Sequence, residues 1–357
     1  MDPAPRSITS LVLCVIALGA ASWWFRAPSA SAAAAKPGQT FTLAWGGDVT
    51  PGSTYGLPPS SGRTMLASVA DVFKSVDLAA VNLEGTLGRG GNPKCGRGAS
   101  PNCFAFQAPA ANAAALWSAG IDVVNLANNH AFDYGAIGAR LTVQSLKRFG
   151  VRSTGGYEQI SLLDLPRARV AALGFAAYPW ASPIRDLRAV RRIVARAARS
   201  ANVVVVFMHA GAEGGGQVHT PNRDEQAYGE QRGNPRAFAR AAVDAGADVV
   251  LGSGPHVLRG MELYRSRLIA YSLGNLAGYR NFALGGNSSL SGIVRVRLGP
   301  QGAFAAGSFT SLRLTGPGLP SLDKTRASAR LISTVSSQDF GRRGVRVLSS
   351  GEIVVRG

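Results

Sequence analysis

Short runs of β-branched and apolar residues alternate with helical patterns along most of this chain, and this alternation limits the folds open to it. The predicted strands cover residues 41–45, 78–83, 123–126, 170–175, 203–208, 249–252, 268–271 and 293–298. The predicted helices cover residues 64–75, 112–119, 136–149, 187–199 and 235–245. Strands and helices that follow one another in this way predict an α/β fold. We assign residues 40–300 to one domain, and we expect the β-rich residues 301–357, with a helix near 321–336, to complete it.

The N-terminus carries an apolar run over residues 8–25 (ITSLVLCVIALGAASWWF), preceded by Arg6 and followed by a tract of small residues. Ala-Ser-Ala at 30–32 offers an A-x-A cleavage site, so residues 1–39 are interpreted as an export signal and linker. The run ends in two tryptophans, which favour a membrane interface, so an uncleaved signal anchor is the alternative. Either form predicts a protein that is secreted or anchored on the outer face of the cytoplasmic membrane.

The predicted export affects the expected state of two cysteines, Cys95 and Cys103. The third cysteine, Cys14, lies in the apolar run. An oxidising compartment favours their pairing across a short loop rich in glycine, proline and asparagine. We therefore predict a Cys95–Cys103 disulfide, with two free thiols as the alternative.

Basic residues outnumber acidic ones, with 38 Lys plus Arg against 20 Asp plus Glu and a net charge of +18. Such an excess favours contact with polyanions. The arginines are spread along the chain without an aromatic-interleaved cluster or a recognition-helix pattern, so no nucleic-acid partner is predicted. An anionic envelope polymer, lipid headgroups and solubility each remain as explanations.

Side chains that bind metals follow several of the predicted strands, where α/β folds place their active sites. Three of the four histidines stand directly after a strand, and two carboxylates and an amide share that position. Carboxylate, amide and imidazole ligands together suit a divalent ion such as Mn, Fe, Zn or Mg. The alternative is that the carboxylates and the amide only cap turns and helices. The residues in question are Asp48, Glu84, Asn129, His130, His209 and His256.

Five segments resemble the bacterial CapA proteins associated with poly-γ-glutamate capsule synthesis, whose fold is similar to that of the calcineurin-like metallophosphoesterases. The resemblance covers roughly residues 41–296 and implies an αββα sandwich with a metal site at the strand ends. Its carriers are GGDVTPG (46–52), VNLEGTL (81–87), VVNLANNHAFDYG (123–135), HAGAE (209–213) and GADVVLGSGPHVLRGMELYRSRLIAYSLGNL (246–276).

The resemblance also implies individual roles. Asp48 matches an aspartate that ligates one metal, and Glu84 stands where the phosphoesterases carry an aspartate that bridges two metals. Asn129 and His130 match an Asn-His motif, whose amide oxygen ligates the second metal and whose histidine donates a proton or stabilises the transition state. His209 matches a later ligand histidine.

His256 matches the final ligand histidine, but two positions depart from the phosphoesterase pattern. Thr50 and Gly254 stand where that pattern has histidines. Each presumed metal therefore loses one ligand. His219 and Glu225 lie in an intervening loop, and we consider them as replacement ligands.

A bound divalent ion would polarise an ester or acyl oxygen and lower the pKa of water toward neutrality. His130, paired with Asp133 or Asp122, would then act as general acid. Asp133 has a second interpretation as the N-cap of the helix that follows it. Arg223 and Arg232 are predicted to hold an anionic substrate, because guanidinium groups suit carboxylate and phosphate alike.

Two functions follow from this set of residues. The first is an exported metal-dependent hydrolase or transferase acting on a phosphoester, amide or γ-glutamyl linkage of the envelope. The second is a non-catalytic binding or assembly protein that holds an anionic polymer in the same crevice. A nucleotidase-like phosphoesterase with a soluble substrate is a third candidate, which follows from the fold similarity alone.

Overall fold

The computed structural model describes Met1 and residues 40–96 and 103–355. Apart from Met1, the predicted export signal at 1–39 lies outside the described residues. Among the helices of the described part, none combines the length and the apolarity needed to cross a bilayer.

Strands and helices alternate through the described chain. The helices are α1 (Ala70–Lys74), α2 (Ala114–Ser118), α3 (Gly135–Arg148), α4 (Leu187–Ala198), α5 (Pro235–Asp244) and α6 (Ala327–Phe340). The strands are β1 (Phe41–Thr50), β2 (Leu78–Leu83), β3 (Thr86–Leu87), β4 (Gln107–Ala108), β5 (Val123–Asn125), β6 (Arg152–Thr154), β7 (Ser161–Asp164), β8 (Arg169–Ala176), β9 (Ser182–Pro183), β10 (Val203–His209), β11 (Glu225–Ala227), β12 (Glu230–Gly233), β13 (Val249–Ser253), β14 (Met261–Tyr264), β15 (Arg267–Ala270), β16 (Asn275–Gly278), β17 (Leu290–Leu298), β18 (Phe304–Thr315), β19 (Leu319–Leu322), β20 (Val345–Val347) and β21 (Ile353–Val355).

Two large sheets organise these strands. The first has the order β19-β18-β17-β1-β2-β5-β6, with β16 also paired to β1, and the second has the order β14-β15-β13-β10-β8-β7, with β9 beside β8. The central pairs, β1 with β2 and β10 with both β8 and β13, are parallel. Their carboxyl ends therefore lie at common sheet edges, where side chains from separate loops can meet.

The two sheets face each other across one apolar core. Leu43, Trp45 and Val294 of the first sheet pack in the same cluster as Val205 and Phe207 of the second. The Trp45 and Phe207 rings stack with centroids 4.9 Å apart, and the Trp45 indole N–H donates to the Gly252 carbonyl, 3.1 Å away. Both residues are completely buried, so this contact stabilises the sheet-to-sheet packing.

Helices cover the outer faces of both sheets. Residues of α1, α2 and α3 form a core with the outer face of the first sheet, and residues of α4 and α5 do so with the second. The layer order is therefore helix, sheet, sheet, helix, which confirms the predicted αββα sandwich.

The apolar pattern of the second sheet explains its strands. The run VVVVFMH of β10 is buried at every position, as a parallel strand covered on both faces requires. By contrast, α4 has a buried face of Val190, Ile193 and Val194, while its four arginines are exposed. The arginines form a solvated face of the helix, and Arg192 and Arg196 both pair there with Glu158.

Two predicted helices differ in detail from the observed ones. Residues 64–75 contain a 3₁₀ turn, Ala67–Val69, followed by the short α1. The C-terminal helix begins at Ala327 rather than near 321, because Leu319–Leu322 forms β19 against β18. Asp323 marks the change, since its carboxylate accepts from the backbone N–H groups of Thr325 and Ser328.

Cys95 and Cys103 form a disulfide in the structure, with their Cα atoms 5.7 Å apart. Lys94 precedes the first cysteine and Phe104 follows the second. Both residues line the cavity described below, so the disulfide fixes one part of its rim.

Candidate metal centre

Side chains from both sheets meet at one buried point. Asp48 lies in β1, Glu84 follows β2, and His209 ends β10. Each offers one ligand atom, and these three atoms lie within 4.8 Å of one another. His256, from the loop after β13, places Nδ1 3.2 Å from Asp48 Oδ2 and Nε2 3.8 Å from Glu84 Oε2. The structure therefore brings together four of the five predicted ligands over a sequence span of more than 200 residues.

An irregularity in β1 directs Asp48 into this cluster. The pairing register between β1 and β2 shifts between Trp45 and Asp48, and Asp48 also pairs with Asn275 of β16. Gly47 adopts φ +80° here, and a Cβ atom at this position would lie 2.4 Å from the Gly274 carbonyl oxygen. Glycine is therefore required immediately before the aspartate.

Asn82 holds the two carboxylates together, a role that the sequence analysis missed. Its side-chain amide donates to Asp48 Oδ1 at 2.8 Å and to Glu84 Oε1 at 3.2 Å. Its carbonyl oxygen accepts from the amides of Asn125 and Asn128. Asn82 is two residues before Glu84, and alternation along β2 could have indicated that both side chains share one face.

Several buried oxygen atoms, in the cluster and at Asn129 on the cavity wall, accept few or no hydrogen bonds and are therefore free to bind a ligand. Among the described residues, Glu84 Oε2 and Asn129 Oδ1 accept no hydrogen bond, and Asp48 Oδ2 has only the His256 contact. Unpaired buried acceptors are costly, so such a group of them points to a missing partner. Carboxylate and amide oxygens beside an imidazole are ligands for a divalent cation. The residues present therefore fit a metal ion.

The electrostatics of the cluster agree with a cationic partner. Burial, and after it the nearby Asp48 carboxylate, raises the pKa of Glu84 to about 8. Burial would lower the pKa of His256, but Glu84, Asp48 and Glu213 outweigh burial and hold that pKa well above its usual value. A site that favours protonated side chains in this way attracts positive charge.

Asn275 orients the His256 ring. Its amide oxygen lies 2.8 Å from His256 Nδ1, and since that oxygen only accepts, Nδ1 carries the hydrogen. Nε2 is left for the cavity, where it faces carboxylates of Glu84 and Glu213. A hydrogen bond of this kind to the distal nitrogen is typical of histidine metal ligands.

His130 forms a dyad with Asp133. Its Nδ1 is 2.8 Å from Asp133 Oδ2, and its ring packs on Phe106 with centroids 4.4 Å apart. Burial lowers the pKa of His130, and the hydrogen bond to Asp133 opposes that effect. Lys94 Nζ lies 2.7 Å from the other Asp133 oxygen.

Asp133 and Asp122 were both considered as partners of His130, and their contacts distinguish them. Asp133 does not cap α3, whose N-cap residue Tyr134 makes no side-chain cap. Asp122 is not the partner of His130, because its carboxylate accepts from the backbone N–H of Ala79. The orienting group of His130 is therefore Asp133.

Arg232 contributes a buried cation to the site. Its guanidinium bonds to Glu213 Oε1 through Nη2, which also lies 3.3 Å from His209 Nε2. Its Nη1 donates to the Tyr178 hydroxyl at 2.8 Å and to Glu230 at 3.1 Å. Glu213 belongs to the HAGAE segment but was not among the predicted site residues.

Three predicted site residues lie elsewhere. His219 Nδ1 is 2.8 Å from Asp339, and Glu225 pairs through both oxygens with Arg259, so neither one replaces a missing ligand. Arg223 is exposed and does not line the cavity. The structure therefore does not bring these three residues into the cluster.

A cavity of about 620 Å³ opens over the cluster. It is lined by Glu84, Lys94, Cys103, Phe104, Phe106, Asn129, His130, Glu213, Gly214, Tyr228, Glu230, Arg232, His256, Asn275, Asn281, Phe282, Ala283 and Ser288. Three of the predicted metal ligands, Glu84, Asn129 and His256, thus share one accessible space with His130 and with two cations, Lys94 and Arg232.

The chain is similar to known bacterial proteins over this region. The family model described as bacterial capsule synthesis protein PGA_cap matches residues 42–279. A capsule biosynthesis protein CapA of Bacillus anthracis is 33% identical over 183 residues, which are 45% of this chain and 41% of that protein. A PGA biosynthesis protein CapA of Bacillus subtilis is 34% identical over 171 residues, or 43% and 41% of the two chains. The match thus spans less than half the length of these relatives.

A solved structure also resembles the chain. The calcineurin-like phosphoesterase YfkN from Bacillus subtilis aligns with a TM-score of 0.44 and 11% identity, covering 85% of this chain and 98% of that one.

Proposed function

This chain belongs to the PGA_cap family of bacterial capsule synthesis proteins, and we propose that it is an exported metal-dependent hydrolase or transferase that acts on an anionic polymer of the envelope. The linkage proposed is a phosphoester, an amide or a γ-glutamyl bond. The observation that carries the proposal lies beside the His130–Asp133 dyad: within the described chain, Glu84 Oε2 and Asn129 Oδ1 have no hydrogen-bond donor and Asp48 Oδ2 has only the His256 contact.

Asp48, Glu84, Asn129 and His256 would hold the divalent ion. When bound, the ion supplies Lewis-acid polarisation of the scissile group and a water of lowered pKa. Its identity is open among Mn, Fe, Zn and Mg.

His130 would act as the general acid. Asp133 accepts from Nδ1, so the ring presents Nε2 to the cavity and can deliver a proton from there to a leaving group. Burial lowers the pKa of His130, so its imidazolium is a stronger acid but is the minor form near neutral pH.

Lys94 and Arg232 would select an anionic substrate. Both line the cavity, and the Lys94 side chain is 34% exposed, so its ammonium can reach a carboxylate or phosphate. An α-carboxylate of a γ-glutamyl polymer fits this requirement, as does a phosphate.

The test combines elemental analysis of the purified protein with turnover of γ-glutamyl oligomers and of a chromogenic phosphodiester. We expect bound metal, and we expect His130→Ala to lower turnover by at least about 100-fold with metal content unchanged. His219→Ala, outside the cavity, is the matched control and should retain turnover. Protein without metal would refute the proposal.

A non-catalytic polymer-binding protein is the second candidate, and Thr50 and Gly254 favour it because neither can supply the histidine of the phosphoesterase pattern. Retained metal and tight binding of poly-γ-glutamate without turnover of either substrate would establish this second function instead.

Export and anchoring are part of the proposal. The apolar run at 8–25 and the Cys95–Cys103 disulfide support it. Cell fractionation, with sequencing of the mature N-terminus, distinguishes a cleaved signal from a membrane anchor.

A further inference from the structure

We propose that the site binds a single divalent cation to which Glu213 is a ligand beside the set of Asp48, Glu84, Asn129 and His256, and that the guanidinium of Arg232 stands in place of a second cation. This inference rests on the proposed function only in requiring a divalent ion. It assigns Glu213 as the replacement ligand and gives Arg232 an electrostatic role in the metal centre.

Both ring nitrogens of His209 are already engaged. The Ser253 hydroxyl donates to the Met208 carbonyl at 3.3 Å, so its oxygen accepts from His209 Nδ1, 3.1 Å away. Nε2 then carries the lone pair and accepts from Arg232 Nη2 at 3.3 Å, because a guanidinium only donates. His209 is also absent from the residues that line the cavity. Its position near Asp48 and Glu84 therefore does not make it a free ligand.

Arg232 is fixed in this position. Its side chain is 1% exposed, with Glu213 bonded at Nη2 and with Glu230 and Tyr178 bonded at Nη1. The guanidinium also lies over the Tyr178 ring, 5.9 Å from the centroid. A permanent positive charge next to His209 Nε2 repels a second divalent ion at the same place, and burial strengthens that repulsion.

Glu213 lies between the Arg232 guanidinium and the proposed position of the divalent ion. Its Oε1 bonds to Arg232, while its Oε2 lies 3.9 Å from His256 Nε2. Glu84 Oε2, which accepts no hydrogen bond, lies 3.8 Å from the same nitrogen. Two carboxylate oxygens and one imidazole nitrogen therefore face one another at the cavity, with the Asp48 carboxylate next to them. Glu213 Oε2 therefore adds one more oxygen beside His256 Nε2, on the side of the site that opens to the cavity.

The test measures Mn²⁺ binding to the metal-depleted protein by calorimetry and electron paramagnetic resonance. We expect one ion per chain and the spectrum of an isolated Mn²⁺. Glu213→Gln should weaken Mn²⁺ binding by about tenfold or more. Glu230→Gln is the matched control, because Glu230 contacts the same guanidinium but not His256, and its affinity should stay within about twofold of wild type.

Two ions per chain with an exchange-coupled spectrum would overturn the role of Arg232 and leave the proposed function intact. Unchanged Mn²⁺ affinity in Glu213→Gln would overturn the role of Glu213. No Mn²⁺ binding to the wild-type protein would refute this inference together with the proposed function.

Substitutions of Arg232 test directly whether its charge takes the place of a second cation. Arg232→Lys keeps the charge and should bind one ion, whereas a folded Arg232→Met should admit a second. A folded Arg232→Met that still binds one ion would contradict the stand-in role. Circular dichroism verifies folding, and should Arg232→Met fail to fold, the wild-type stoichiometry and the Glu213→Gln affinity decide the matter.

Discussion

Glu84 and Glu262 are both fully buried glutamates, yet their surroundings are opposite. Glu262 accepts from two guanidinium nitrogens of Arg240, at 3.0 and 2.8 Å, and from the Tyr271 hydroxyl at 2.7 Å. Glu84 shares its space with the Asp48 carboxylate and leaves Oε2 without a hydrogen bond. A buried carboxylate with its own cations stabilises the fold, whereas one placed beside another carboxylate lowers stability until a ligand arrives.

The largest expected effect comes from Glu262→Gln. Neutralising this side chain leaves Arg240 without its buried counter-charge and places an amide N–H against a guanidinium. We expect the free energy of unfolding to fall by about 3 kcal/mol, measured by urea denaturation. A loss within error of zero would remove the contrast between the two glutamates.

A smaller effect is expected at Asp248, whose carboxylate has fewer partners than Glu262 but more than Glu84. Its carboxylate accepts from the Val204 N–H at 2.8 Å and lies 3.4 Å from Arg267, while burial raises its pKa to about 6. The folded protein therefore binds the proton more tightly than the unfolded chain. The associated stability is present below about pH 4 and is lost as the pH rises through 6.

Asp248→Asn should remove this pH dependence. Between pH 4.5 and 7 the wild type should lose about 2 kcal/mol relative to the variant, since each unit of pKa shift corresponds to about 1.4 kcal/mol. Parallel urea titrations at the two pH values measure the difference. Equal pH profiles would show that Asp248 is adequately compensated in the fold.

The smallest effect, and the one of opposite sign, is expected for Glu84→Gln in the presence of a chelator. Above about pH 8, where the Glu84 carboxylate is ionised, the substitution removes a buried charge and ends its repulsion with Asp48, but the attraction to His256 is lost as well. We expect the free energy of unfolding to rise by about 1 kcal/mol. A decrease comparable to that of Glu262→Gln would assign Glu84 to the scaffold.

Much of the architecture was predictable from local pattern. Residues 78–83 were predicted as a strand and form β2 without adjustment, because an apolar run bounded by polar turns leaves little choice. The split of residues 64–75 was not predictable, since neither part contains a proline or an internal glycine to mark the break. Strand ends likewise identified the Asp48, Glu84 and His256 positions before their convergence was visible.

The errors at the site all concern partners distant in sequence. His219 was considered a replacement ligand because it lies in the loop between the ligand segments, but its partner Asp339 is 120 residues away. Glu225 is engaged by Arg259, which no local pattern indicates. Glu213 was overlooked for the same reason, because its importance depends on Arg232 and becomes visible only with the tertiary contacts.

Gly254 has a consequence for any attempt to engineer a second histidine into this centre. Its φ is +111°, and a Cβ built on it would lie 2.9 Å from the Ala210 backbone nitrogen and 3.3 Å from the His209 ring. A Gly254→His exchange would thus require movement of the main chain just after β10 or just after β13. A histidine at this position therefore requires the loop to be rebuilt before the residue itself is changed.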